Sequence, residues 1–467
     1  MKKTKLWGGA FAEAPDETAW RFGQSIESDW NLLAEELEVS LAHARMLERQ
    51  KILPAAKAKK LIRALESLVR DAEEGRLKIP RDAEDIHAAV EEELRKRVGD
   101  IAGMLHTGRS RNDQIATVAR LYLRRRCDRL LSLIKDLQRE IVKQGARHAN
   151  APMPGYTHQQ RAQPVTLGFH LLAWFWMLQR DGERLETVKI SANTCPLGAA
   201  ALAGTPFKID RHWTAKQLGF DGPTPNALDA VSDRDFASDA LHACATLMLH
   251  LSRMSQEIVL WSSEEFGFLR LPDRVTTGSS IMPQKRNPDF AELIRGRSAR
   301  CFGHWVAHMS MMKALPLGYN RDTQEDKPPL FDALALCRDS LLLMRTMIEG
   351  AQFDKQRMRE AAEAGHIAAT AVADFLASKG VPFRQAHERV GRLVRACEEV
   401  GLTLREATPD LIRSVLQADP DEILPLLSAE AGIRSRDGYG GPGPNAMKVQ
   451  LAEARAALRR KGFVARQ

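Results

Sequence analysis

Apolar positions recur with helical spacing almost throughout the chain. In several stretches they keep the 3.5-residue step of a bundle seam. Leu123, Cys127, Leu130, Ile134, Leu137 and Ile141 alternate steps of four and three. The same rhythm joins Ala240, Cys244, Leu247, Leu251, Met254, Ile258 and Trp261, and again Ala291, Ile294, Ser298, Cys301, Trp305, His308, Met312 and Leu315. A fourth series is Leu330, Leu334, Cys337, Leu341, Met344 and Ile348. A weaker fifth runs through Leu171, Trp174, Leu178, Leu185 and Val188, with Asp181 at one seam position. The pattern predicts about five long helices; one from Asp233 to Phe266 would span about 50 Å. Strand-like alternation is nearly absent. Helices of this length cannot bury their apolar faces in one subunit of ordinary shape, so an all-α fold with a central bundle completed by other subunits is expected.

The flanks differ from the centre. Before about residue 110 the pattern reads as shorter helices broken at Pro54 and between Gly75 and Pro80. After about residue 360 an Ala-rich stretch leads into short helices punctuated by proline, with a Gly/Pro loop at 438–444. Three segments follow: a head (1–110), a bundle (111–360) and a tail (361–467).

Composition narrows the class. At 467 residues the chain exceeds what a single core supports. No run approaches the roughly 18 apolar residues of a membrane helix, and the basic start lacks the apolar core of a secretory signal, so a cytoplasmic location is expected. The six cysteines are scattered without a C-x-x-C pair, which fits buried thiols in a reducing compartment. Lys+Arg 68 against Asp+Glu 60 leaves +8. That surplus is not gathered into a basic stripe or a named module, so nucleic acid is not an expected partner; the charge can help attract small polyanions.

Three polar stretches break the bundle rhythm, each ahead of a long helix: 106–113 (HTGRSRND), 154–161 (PGYTHQQR) and 277–288 (TGSSIMPQKRNP). They supply the Ser, Thr, Asn, Arg, Lys and His groups that hold carboxylates. Helix N-termini add oriented N–H donors and the positive end of the dipole. Taken singly, each reads equally as a cap or an ordinary loop; three such ends converging would form an anion cavity.

Together these stretches resemble the fumarase/aspartase superfamily and, within it, the argininosuccinate lyase family. GSSIMPQKRNPD (278–289) is similar to the mobile signature loop of the superfamily. HTGRSRNDQ (106–114), GYTHQQRAQPVT (155–166), PLGAAALAGTPF (196–207), DAVSDRDF (229–236) and YNRDTQEDK (319–327) resemble motifs of the narrower family. The resemblance runs from Leu6-Trp7-Gly8-Gly9 to the C-terminal Gly/Pro loop. It implies an all-α, three-domain fold, a homotetramer with a core of twenty helices, and sites formed where three subunits meet. Adenylosuccinate lyase, fumarase and aspartase share the Gly-Ser-Ser loop, but RSRNDQ together with YNRDTQEDK argues against them. An inactive, crystallin-like structural homologue is the reading from another class, and retention of the catalytic positions argues against it.

The reaction implied is the β-elimination of argininosuccinate to arginine and fumarate, without cofactor or metal. A proton leaves the carbon beside a carboxylate, the guanidino nitrogen departs, and donors must surround the developing dianion. The resemblance places the base at Ser279, with Lys285 as its electrostatic partner; a serine hydroxyl needs such help, from a lysine or from backbone N–H groups. It places the proton donor at His158, paired with Glu292, although Glu292 also reads as a solvated helix residue. Ser25, Asn112, Thr157, Asn287, Tyr319, Gln324 and Lys327 align with residues that contact argininosuccinate. Arg111 is suited to clamp a carboxylate in bidentate fashion. His87 matches a further family histidine and reads equally as a structural one. The chain departs from the family pattern at Val118, at Arg286 and within GYGGPGPNA (438–446).

Overall fold

The structure is a computed structural model describing residues 13, 16–78, 80 and 82–464. The basic start and the Leu6–Gly9 stretch lie outside the described residues. All five long helices form: Arg111–Arg147, Leu167–Ser191, Asp235–Trp261, Asp289–Met312 and Lys327–Gly350. The seam positions are buried from Leu123 to Ile141, Leu171 to Val188, Ala240 to Trp261 and Leu330 to Ile348, whereas in the Asp289–Met312 helix Ala291, Ile294, Cys301 and His308 are buried but Ser298, Trp305 and Met312 are only half-buried. The seam carboxylate Asp181 is buried too, where His250 Nδ1 meets it at 2.8 Å and Arg184 at 3.1 Å.

Contacts gather the chain into two compact units. One comprises Met1–Arg129, Thr187–Ala245 and Arg300–Ala335. Its core forms on helices Leu33–Arg49, Ala55–Glu73 and Ile86–Val98, where Leu37, Leu47, Leu61, Leu65 and Leu94 are buried together. The other comprises Leu130–Glu186, Thr246–Ala299 and Leu336–Gln467. A second core lies there, with Val372, Leu393, Ile412 and Leu416 at its centre. All six cysteines are buried. No helix of the described residues is long and apolar enough to cross a membrane.

Two expectations need correction. The Asp233–Phe266 helix is shorter, running from Asp235 to Trp261. Asp233 stops it at the start by accepting the N–H of Asp235 on its side chain at 2.7 Å. At the other end, Ser262 and Ser263 hydroxyls donate to the carbonyls of Val259 and Leu260, and Gly267 turns the chain at φ 61. Leu315 likewise falls beyond its helix, which ends at Met312 ahead of Pro316.

Strands are also present. β1 (Pro152–Thr157) and β2 (Gln160–Thr166) form an antiparallel hairpin with a bulge at Gly155/Tyr156. Pro152, Pro154 and Pro164 hide the alternation in the sequence. Two shorter pairings join Thr194–Cys195 to Gly222–Pro223 and Leu269–Arg270 to Gln352–Phe353.

Candidate active site

Four segments of the first unit converge on a cavity of about 360 Å³. Ser25 and Asp29 come from the short helix Ile26–Asp29 and its cap. His87 comes from the first turn of Ile86–Val98, and Arg111, Asn112 and Ile115 from the start of Arg111–Arg147. Tyr319, Arg321, Gln324 and Lys327 lie at the approach to Lys327–Gly350. Seven residues singled out from sequence thus line one cavity: Ser25, His87, Arg111, Asn112, Tyr319, Gln324 and Lys327. Asp29, Glu84, Asp85, Ile115 and Arg321 complete the wall.

Local hydrogen bonds fix these side chains. Asp85 caps Ile86–Val98 by accepting the N–H of Ala88 at 2.7 Å, and its other oxygen takes Arg111 Nη1 at 2.8 Å. Ser25 Oγ donates to Asp29 one turn on, at 2.5 Å, while its backbone N–H reaches the carbonyl of Glu84 at 2.9 Å. Asp113 receives the backbone N–H groups of Ser110, Gly198 and Ala200 at 2.8–2.9 Å, which ties the 196–207 stretch to the head of its helix. Burial pushes the Asp113 carboxyl up to about 6 against those donors. Asn112 Nδ2 then donates to the carbonyl of Ala201 at 3.1 Å.

Behind the wall, His87 Nδ1 meets Glu36 Oε2 at 2.7 Å, with both side chains buried. Burial alone raises Glu36 and depresses His87, but their mutual attraction prevails, holding Glu36 below its ordinary range and His87 above its own. Asp29 lies the other way: burial raises its carboxyl, opposed by the charge of Lys327 and the Ser25 hydrogen bond. Lys327 Nζ is held by Asp326 at 3.0 Å, and Asp326 also takes Arg234 Nε at 2.6 Å. Among the described residues, Asp29 Oδ1 and His87 Nε2 are buried without a hydrogen-bond partner.

The remaining sequence candidates lie in the second unit, and none of them lines this cavity. Thr157 pairs with Gln160 at the tip of the hairpin, so His158 and Gln159 form a two-residue turn with φ of 54° and 58°. Both angles are positive, as the mirror-image turns that fit twisted strands require. The imidazole of His158 is therefore presented, exposed, on a fixed turn. The signature stretch is an open loop closed at its base, where Thr277 and Asn287 exchange backbone hydrogen bonds at 3.1 and 2.8 Å. Ser279 Oγ accepts the N–H groups of Ile281 and Met282 at 3.3 and 3.1 Å. Lys285 is exposed, and among the described residues no hydrogen bond joins its ammonium to Ser279. Glu292, also exposed, meets Arg295 at 3.5 Å, and no contact with His158 is present among the described residues.

The departures from the family pattern have structural accounts. Val118 is fully buried within its helix, and Arg286 pairs with Asp273 beside the loop base. In the Gly/Pro loop, a Cβ on Gly443 would come within 2.6 Å of Asp437, whose carboxylate accepts the N–H groups of Asn445 and Ala446. Among the described residues no group of three or more His, Cys, Asp or Glu side chains is placed to hold a metal ion.

A lyase family model matches residues 9–303, and an argininosuccinate lyase C-terminal model matches residues 366–434. The argininosuccinate lyase of Thermus thermophilus is 48% identical over 97% of this chain and 98% of its own length. That of Carboxydothermus hydrogenoformans is 46% identical over 97% and 100%. Among solved structures, an EDDS lyase in complex with formate superposes with a TM-score of 0.83 at 29% identity, over 94% of this chain and 88% of that one. An EDDS lyase variant with bound fumarate gives 0.82 at 27%, over 96% and 91%. Matched over 97% of its length by such relatives, the chain belongs to the argininosuccinate lyase family.

Proposed function

We propose that Ser279, His158, Lys285 and Glu292 carry out the cleavage of argininosuccinate to arginine and fumarate, a carbon–nitrogen lyase reaction of arginine biosynthesis, in a cytoplasmic homotetramer. Ser279 removes the proton beside the succinyl carboxylate. Its oxygen already accepts two backbone N–H groups, the environment that favours the alkoxide, and Lys285 on the same loop adds positive charge when the loop closes. His158 delivers a proton to the departing guanidino nitrogen, with Glu292 holding its imidazole in the assembled site. Thr157 and Asn287 bind the succinyl half. Ser25, Asn112, Tyr319, Gln324 and Lys327 hold the substrate from the cavity, with Arg111 clamping a carboxylate and His87 supporting the wall.

The observation that carries this reading is that seven residues chosen by motif, from four distant stretches of sequence, line one cavity. Assembly into a tetramer is supported by apolar side chains that the chain leaves exposed on its long helices: Leu293, Phe302, Val306 and Met309 on one, Leu249 and Leu342 on two others. The head (1–110), bundle (111–360) and tail (361–467) are its three domains in this reading. The test is fumarate release by the purified chain: argininosuccinate is expected to yield it, and adenylosuccinate, malate and aspartate are not. Absence of fumarate from argininosuccinate would overturn the reading.

A further inference from the structure

Beyond the helix Pro444–Arg459 the chain does not trail into solvent. Arg460–Val464 lies in a socket on two helices of the bundle, Arg111–Arg147 and Leu167–Ser191. A segment past the last element stays ordered only where something ties it down, because fixing each residue costs conformational entropy. Here the ties read the backbone. One carboxylate, Glu186, accepts two successive N–H groups, from Phe463 on Oε1 and from Val464 on Oε2, both at 2.7 Å. Gln179 Nε2 donates to the carbonyl of Phe463 at 3.2 Å, and Lys135 Nζ donates to that of Arg460 at 2.7 Å. Those made by Glu186 and Lys135 have a charged partner and belong to the stronger class of hydrogen bond.

Side-chain fit adds selectivity. Phe463 is only 2% exposed, and its ring lies against Gly182, where a Cβ would overlap it. Lys135 Nζ stands over the ring, 5.1 Å from its centroid, within cation–π range. Gly462 passes Glu186 so closely that a Cβ there would come within 2.5 Å of Oε1. A glycine on each side of the contact therefore lets the segment and the helix approach. Backbone hydrogen bonds for affinity and a shaped slot for one side chain are the division of labour of peptide-recognition sites. All of these residues belong to the second unit, and none is a residue of the proposed lyase chemistry.

We propose that Lys135, Gln179, Gly182 and Glu186 form a peptide-binding socket for an extended Gly-Phe-aliphatic segment, and that its resident ligand is the chain's own Arg460–Val464, held as a strap across the two helices. The socket is closed to other peptides while the strap is down and open to a second copy of the same segment when the strap lifts. The tether sets the balance. It holds the resident segment at an effective concentration on the order of millimolar, so a free peptide is excluded from the wild-type socket and admitted once the resident phenylalanine is removed. The proposal stands apart from the lyase reading, since it concerns no group of that site.

The test joins hydrogen exchange to peptide binding, both on the full-length protein. The probe is a fluorescent peptide of residues 460–467 (RKGFVARQ), followed by anisotropy. In wild type, the amides of Phe463 and Val464 are expected to exchange at least roughly tenfold more slowly than in the free probe. Full-length Phe463→Ala is expected to bind the probe at least about tenfold more tightly than wild type does, because its socket is vacated. The Phe463→Ala form of the probe is expected not to bind either protein. Gly182→Ala fills the slot, so it should release the amide of Val464 to fast exchange and still refuse the probe. Wild-type amides exchanging as fast as those of the free probe would overturn the proposal, and that arm needs no variant to fold. So would a Phe463→Ala protein of wild-type helicity that does not take the probe, or equal affinity of the probe for wild type and Phe463→Ala.

Discussion

Ser279 Oγ accepts the backbone N–H of Met282 at 3.1 Å, within a loop whose base is closed by Thr277 and Asn287. That hydrogen bond, with its companion from Ile281, stabilises negative charge on the hydroxyl oxygen without needing a neighbouring side chain. Ser279→Ala removes the hydroxyl proposed as proton acceptor but leaves the closed base of the loop. Turnover is expected to fall by about 10³-fold or more, toward the upper end of what a positioned base contributes. Helicity and assembly should be unchanged. Near-normal kcat would remove Ser279 from the role.

The turn that presents His158 sets a second expectation. His158 and Gln159 both have positive φ, a conformation that Asn and Gly tolerate and β-branched residues do not. His158→Asn should therefore cost little in thermal stability while lowering kcat by about 10²- to 10⁴-fold. Gln159→Val keeps the histidine but should cost about 1–2 kcal/mol. Thermal melts beside fumarate kinetics separate the two effects. A stable Gln159→Val protein would mean that the turn is not held as described.

The buried Glu36–His87 pair gives a pH signature. The pKa of His87 is raised in the fold, so its contribution to stability is fully present below the ordinary value of 6.5 and is lost as pH rises through the folded value. Glu36 is depressed, so its contribution is present above its ordinary 4.5 and lost as pH falls through the folded value. Glu36→Gln ends the charge pairing but keeps an acceptor for Ser40 and Gln114. It should cost about 3 kcal/mol near pH 6, and the difference from wild type should shrink as pH rises above 6.5. Denaturant midpoints at a series of pH values check this, and a pH-independent difference would contradict it.

Close backbone packing makes another position sensitive. A Cβ on Gly168 would lie 2.5 Å from the carbonyl oxygen of Gly145 and 2.8 Å from Ala149 Cα. These are backbone atoms and cannot swing aside, so Gly168→Ala is expected to cost about 1–3 kcal/mol. A variant melting with wild type would show that the Leu167–Ser191 helix can shift at its start.

How far the sequence foretold these features depends on the signal each leaves. The long helices were legible because a seam repeats the same requirement over five or more turns, and Asp181 stood out against it. Residues of the cavity were legible through motifs rather than periodicity, His87 and Arg111 among them. Asp29 was not, although it stands one turn after Ser25, because a carboxylate on a short helix looks like a solvated residue. Arg321 lay inside a motif already singled out, and Glu84 and Asp85 stood three and two residues before His87, but their ion pairs join stretches far apart in sequence. The hairpin was hidden because its strands carry prolines and a bulge, and the positive φ of His158 leaves no mark in composition.

The central claim is that residues of several copies of the chain build each site. The most direct measurement mixes two inactive proteins, His158→Asn and Ser279→Ala, under conditions of confirmed subunit exchange, and follows fumarate released from argininosuccinate. Mixed assemblies should regain a measurable fraction of wild-type activity, because some sites then draw an intact histidine from one subunit and an intact serine from another. No recovery despite exchange, or full activity in a wild-type monomer, would contradict it.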